Sequence, residues 1–173
     1  MTVTFSKIGV VGAGAMGRGI AQIAAQAGSD VLLLDSQPGA AQRGLEAITA
    51  QWAKLHEKGK LDAAAQASLA TRLHAVDSIQ ALAECDLVIE AVVENLEIKR
   101  NLFRELESVV RQDAVLATNT SSLSVTAIAA GLGQPARFAG YHFFNPVPLM
   151  KVVEVVAGFK TDRALCNRLA AYA

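Results

Sequence analysis

The 173-residue sequence predicts an α/β fold, a doubly wound and mostly parallel sheet with a helical hairpin inserted into it. Three observations carry that expectation. Short apolar runs alternate with segments of helical periodicity from residue 7 onward. Several of these runs are apolar throughout rather than at every second position, as strands buried on both faces require. A glycine-rich turn joins the first run to the first helix.

The elements follow in order. Residues 7–11, Lys-Ile-Gly-Val-Val, form the first strand. Over residues 15–27, Met16, Ile20, Ile23 and Ala24 recur at helical spacing, and Gly28 supplies the stop. Residues 31–35 are the second strand. A long helix covers 40–57, the chain turns at Lys58-Gly59-Lys60, and a second helix runs from 62 to about 73. These two make the inserted hairpin, and a short strand at 73–76 follows. Residues 86–91 are the next clear strand. An amphipathic helix at 96–111 carries Leu102, Phe103, Leu106 and Val110 on one side. Residues 114–118 are a strand, and 124–130 a short helix with Ser124 as N-cap. Strands at 138–143 and 151–157 complete the sheet. Thr161-Asp162 opens a last helix reaching Ala173. No repeat or linker interrupts the pattern, so residues 1–173 read as one domain.

Composition narrows the function classes. Sixteen basic and sixteen acidic residues balance, which argues against a nucleic-acid-binding surface. No apolar run is long enough to span a bilayer, and no leader-like segment opens the chain, so no membrane association and a cytoplasmic location are expected. Cys85 and Cys166 match no metal-ligand spacing; no metal is expected, and both read as reduced, buried thiols.

Two segments carry chemistry. The first is Gly12-Ala13-Gly14-Ala15-Met16-Gly17, a GxGxxG placed between a strand and a helix. Gly12 allows the tight turn, Gly14 lets backbone approach a pyrophosphate, and Gly17 lets the helix pack close to the strand. The helix N-terminus offers N–H donors to phosphates. Asp35, at the end of the second strand, is placed to accept hydrogen bonds from ribose hydroxyls and to repel a 2′-phosphate, favouring NAD over NADP. The alternative for Asp35 is a turn or capping residue. This is the signature of a Rossmann-type dinucleotide domain.

The second segment is Gly140-Tyr-His-Phe-Phe-Asn-Pro-Val-Pro148. It sets one imidazole, His142, among aromatics in a run that a turn then ends. Such a ring can be held in one tautomer, as a general base requires. On this stretch alone a satisfied core histidine is the competing reading. Glu90, Glu94, Ser121 and His142 all fall at or just beyond strand carboxyl ends, where ligands of open parallel sheets bind.

Taken with Asp86-Leu-Val-Ile-Glu-Ala-Val-Val-Glu-Asn95, Thr118-Asn-Thr-Ser-Ser-Leu123 and Met150-Lys-Val-Val-Glu-Val155, these segments resemble the NAD-binding domain of the L-3-hydroxyacyl-CoA dehydrogenase family, nearest its bacterial 3-hydroxybutyryl-CoA type. The match covers nearly the whole chain in order. It implies oxidation of a (3S)-3-hydroxyacyl-CoA to the 3-oxoacyl-CoA with hydride passing to NAD, in fatty-acid β-oxidation or related acyl-CoA catabolism. By resemblance His142 is the general base, Glu154 its acidic partner, and Ser121 a substrate contact on the reacting oxygen. Glu94, Lys99 and Asn145 are implied to meet the nicotinamide-ribose side of the cofactor, although Lys99 reads equally as a solvated helix lysine. The hairpin is implied to reach toward the acyl-CoA, with Lys54, Lys58 and Lys60 suited to its phosphates and Lys58 the substrate-binding candidate. Here the chain departs from many relatives, with Gln51 where they carry a serine.

The resemblance further implies a helical C-terminal domain for substrate binding and homodimer formation, which this sequence lacks. The expectation is a first domain alone that binds NAD and turns substrate over weakly or not at all. Two other readings stay open at this stage. One is a 3-hydroxyisobutyrate or 6-phosphogluconate type of dehydrogenase, whose catalytic lysine fits poorly with His142 and Glu154. The other is a non-catalytic NAD-binding protein.

Overall fold

The computed structural model describes residues 5–173. Seven strands among these residues form one sheet in the order β3-β2-β1-β4-β5-β6-β7. They are β1 (Lys7–Val11), β2 (Asp30–Leu34), β3 (Leu73–Val76), β4 (Leu87–Glu90), β5 (Val115–Thr118), β6 (Phe138–Phe143) and β7 (Val153–Ala157). The first six pair in parallel in the order of a dinucleotide-binding sheet, and β7 closes the edge antiparallel to β6. The helices are α1 (Ala15–Gln26), α2 (Ala40–Glu57), α3 (Ala63–Ala70), α4 (Leu96–Val109), α5 (Val125–Ala129) and α6 (Arg163–Tyr172).

The unbroken apolar strands are explained by two cores, one on each face of the sheet. Along β2, Val31 and Leu33 join Ile8, Val10, Ile20, Ile48 and Trp52 on the α1–α2 face. Leu32 and Leu34 point the other way, into a core with Leu82, Val88, Phe103, Leu106 and Phe138 beneath α4 and α5. The apolar residues of β1, β2, β4, β5 and β6 therefore have a buried destination whichever way the pleat sends them.

The expected elements are present, with corrections at their ends. The second hairpin helix stops at Ala70 rather than near 73, because Leu73 is drawn into the sheet beside Val31. Asp62 caps that helix, its carboxylate accepting from Ala65 N–H at 2.7 Å. The amphipathic helix ends at Val109; Val110 is already extended, which turns it into the core. The last strand begins at Val153, not 151, and β2 ends one residue before Asp35. Short 3-10 turns at Ile79–Leu82 and Pro135–Arg137 escaped the sequence reading, being too short for any periodicity to register. Ser124 does cap α5, accepting from Ala127 N–H at 3.2 Å. Cys85 is buried, and burial pushes its thiol up to about 12, against the pull of Lys7. Cys166, on α6, is only partly buried, where a buried thiol was expected.

Candidate active site

The parallel strands all deliver their carboxyl ends to one edge of the sheet, and the order reverses between β1 and β4. Two clefts open at that edge. One, of about 450 Å³, is lined by Gly12, Gly14, Asp35, Ser36, Val93 and Ile98. The other, of about 340 Å³, is lined by Met16, Glu94, Lys99, Ser121, His142 and Asn145. Ala91 and Val92, just after β4, border both.

The glycine loop spans the junction. Gly12 has φ +106°, and a Cβ there would stand 2.5 Å from the Ala91 carbonyl oxygen. A Cβ on Gly17 would run into the carbonyl oxygen of Gly12, so α1 reaches the strand only because no side chain intervenes. At Gly14 nothing lies within 4 Å of a Cβ position. No side chain caps α1, and its first turn carries no acid. Its leading amides face open space, which fits a dinucleotide pyrophosphate. Ala15 faces a third cleft with Arg18, Gln22 and Gln51. Asp35 bears out the turn reading: Oδ2 accepts from Ala13 N–H at 2.7 Å and Oδ1 from Gln37 N–H at 2.9 Å. It thus braces the loop and the following turn, and each oxygen retains a lone pair for a ribose hydroxyl.

On the other side, His142 and Glu154 are directly opposed across the antiparallel β6–β7 pair. Nδ1 of His142 lies 2.9 Å from Oε2 of Glu154. The ring packs on Phe144, with centroids 4.6 Å apart. With the Glu154 carboxylate accepting from Nδ1–H, Nε2 keeps its lone pair, and the ring lines the cleft. Ser121 is exposed on the same cleft, on the loop after β5. Asn145 stands at the mouth, bordering this cleft and the one beside α2.

Lys99 is no solvated lysine. It is 1% exposed, with Nζ 2.6 Å from Glu90 Oε1 and 3.2 Å from Glu94 Oε2. Glu94 in turn accepts from the Thr120 hydroxyl, from Ser121 N–H at 3.2 Å and from the Ser122 hydroxyl at 3.2 Å. Partial burial pushes the Glu94 carboxyl up, but the Thr120 hydrogen bond and the Lys99 charge outweigh it and hold the group at about 2.

The sequence reading missed three contributors. Glu90 was grouped with the strand ends but given no role. Thr120 holds Glu94. Asn119 accepts from Phe143 N–H at 2.9 Å, tying the loop after β5 to the end of β6. All three lie inside segments already singled out; their roles depend on side-chain direction, which spacing alone does not give. Lys58 is the exposed C-cap of α2, and it and Lys54 and Lys60 line none of these clefts. Gln51 does line the cleft beside α1 and α2.

The glycine loop, the acidic strand end and an oriented histidine at the opposite end of one crevice define a dinucleotide-binding domain with acid–base equipment. The model of the 3-hydroxyacyl-CoA dehydrogenase NAD-binding domain matches residues 7–173. A probable 3-hydroxybutyryl-CoA dehydrogenase of Deinococcus radiodurans is 50% identical over 156 residues, covering 90% of this chain and 56% of its own length. The 3-hydroxyadipyl-CoA dehydrogenase of Escherichia coli K12 is 45% identical over 169 residues, 98% of this chain and 36% of its own. A crystal structure of an Escherichia coli 3-hydroxybutyryl-CoA dehydrogenase superposes with a TM-score of 0.94 at 45% identity, covering 96% of this chain and 35% of that one. This chain belongs to the 3-hydroxyacyl-CoA dehydrogenase family and constitutes its NAD-binding domain. It spans about half the length of the curated relatives it matches.

Proposed function

We propose that the polypeptide carrying this domain oxidises the 3-hydroxyl of a (3S)-3-hydroxyacyl-CoA to the 3-oxoacyl-CoA, with NAD as hydride acceptor. The observation that carries the reading is the His142–Glu154 pair at 2.9 Å, opening onto the cleft that also holds Ser121. The nicotinamide, when bound, supplies the hydride acceptor. Nε2 of His142 takes the hydroxyl proton as the C3–H bond gives up its electron pair and the C3–O bond becomes a carbonyl. Glu154 holds the ring in the productive tautomer and stabilises the imidazolium that forms. The Ser121 hydroxyl donates to the reacting oxygen as charge develops there. Glu94, Lys99 and Asn145 hold the nicotinamide-ribose end, and the loop from Gly12 to Gly17 with Asp35 holds the rest. Lys58 stands as a CoA-phosphate contact at the hairpin tip.

Relatives named for 3-hydroxybutyryl-CoA support a role in acyl-CoA catabolism such as β-oxidation. A cytoplasmic homodimer is the proposed form of the complete polypeptide, with no nucleic-acid or membrane partner; no described helix is long and apolar enough to cross a membrane. The 173-residue domain by itself is proposed to bind NAD and to turn over weakly. The test is NADH oxidation by the complete polypeptide with acetoacetyl-CoA, set beside the same assay with NADPH and with the 173-residue chain. Activity with NADH, little with NADPH and little from the short chain are expected. No oxidation of NADH by the complete polypeptide would overturn the reading.

A further inference from the structure

Glu90 ends β4 and is fully buried, yet no step above uses it. Each contact its carboxylate makes is with a donor. Oε1 meets Lys99 Nζ at 2.6 Å and Val92 N–H at 2.7 Å, and Oε2 meets the Thr118 hydroxyl at 2.7 Å. An acceptor-only pattern of this kind belongs to an ionised carboxylate. Lys99 then bridges Glu90 to Glu94, and Glu94 lies on the cleft beside Met16, Asn145 and His142. The wall therefore contains two anions and one cation, a net single negative charge, with Glu90 and Lys99 buried and Glu94 38% exposed at the cleft. The hydrogen bonds to Glu94 hold the loop after β5, and Glu90 holds Val92 and Thr118; beyond those bonds Glu90 adds charge.

We infer that Glu90 is a positioning residue that biases the oxidation state of the bound cofactor: through Lys99 it leaves this wall net anionic, so the cleft favours the cationic oxidised nicotinamide over the neutral reduced ring. The inference rests on reading this cleft as the nicotinamide end. A purely structural Glu90 would affect both cofactor forms alike. A charge-setting one separates them, because only one form carries a ring charge for the field to act on.

Glu90→Gln isolates the charge. The amide oxygen can keep Lys99 and Val92 N–H, while its NH₂ donates to a Thr118 hydroxyl that rotates to accept. Dissociation constants of NAD⁺ and NADH are measured by titration calorimetry on the purified protein, with thermal melts as a check on folding. In Glu90→Gln the ratio Kd(NAD⁺)/Kd(NADH) rises by about three- to tenfold, chiefly through weaker NAD⁺ binding. A second variant, Glu90→Gln with Lys99→Met, restores the net single negative charge of the wall, and its ratio stays within about twofold of the parent. If the single variant does not fold, the same titrations on Lys99→Gln, which leaves the wall with two anions, are expected to lower the ratio, and an unchanged ratio there overturns the inference. Equal loss of both cofactors in Glu90→Gln, or a double variant shifted as far as the single one, overturns the inference and leaves the proposed function standing. A parent protein that binds neither form overturns both.

Discussion

On one wall of the cleft, Glu90 and Lys99 are 0% and 1% exposed, and Lys99 Nζ lies between the carboxylates of Glu90 and Glu94. On the facing wall, Glu154 is 55% exposed and His142 is 16% exposed, and one 2.9 Å contact joins them. The difference fits the roles proposed for the two walls. A proton carrier has to change charge during turnover, so it sits near water with one nitrogen left open. A cofactor cradle must keep its charge and shape, so its ions are buried, paired and hydrogen-bonded. Backbone position tells the same story: the buried ions hang on β4 and α4 in the middle of the sheet, whereas the histidine pair hangs on the antiparallel edge.

The contrast can be broken from either side. The largest expected effect is on the buried wall. Lys99→Met leaves Glu90 without its counter-ion in the interior and should cost about 3–5 kcal/mol of folding free energy. Urea denaturation checks this, and a loss under about 1 kcal/mol would mean the wall is not held by that pair. Glu154→Gln should do the opposite. Stability moves by less than about 1 kcal/mol because the pair is exposed, while kcat of the complete polypeptide falls by about 100-fold or more as the imidazole loses its orienting anion. Steady-state kinetics beside thermal melts separates the two.

The smallest effect is acid sensitivity. The Glu94 carboxyl is held at about 2 against an ordinary 4.5, so it binds protons more weakly folded than unfolded. Its contribution is complete above about 4.5 and is lost as pH falls toward 2. In Glu94→Gln the decline in stability over that window should be shallower. An unchanged slope in urea midpoints measured across it would contradict the assignment.

The same contrast marks what the sequence discloses. The glycine loop, the strand ends and the His142 segment were legible because each is set by local spacing: turn, strand, helix start, aromatic run. That Glu154 faces His142 needed the register of β6 against β7, which the resemblance supplied and spacing did not. Lys99 was legible only in part. It lies at i, i+4 and i+7 with Phe103 and Leu106, on the buried stripe of α4, but its counter-ion Glu90 comes from β4, which spacing does not give. The hairpin lysines Lys54, Lys58 and Lys60 differ from Lys99 in being exposed, so no buried partner assigns them a role. Helix ends erred where a neighbouring residue, Leu73 or Val110, had a better burial elsewhere.

The division between the two walls is tested most directly with His142→Gln in the complete polypeptide, measuring kcat with acetoacetyl-CoA alongside the dissociation constant of NADH. The expected result is a fall in kcat of about 100- to 10,000-fold with NADH affinity unchanged within about twofold. Retained turnover, or an NADH affinity that falls together with it, would contradict the account.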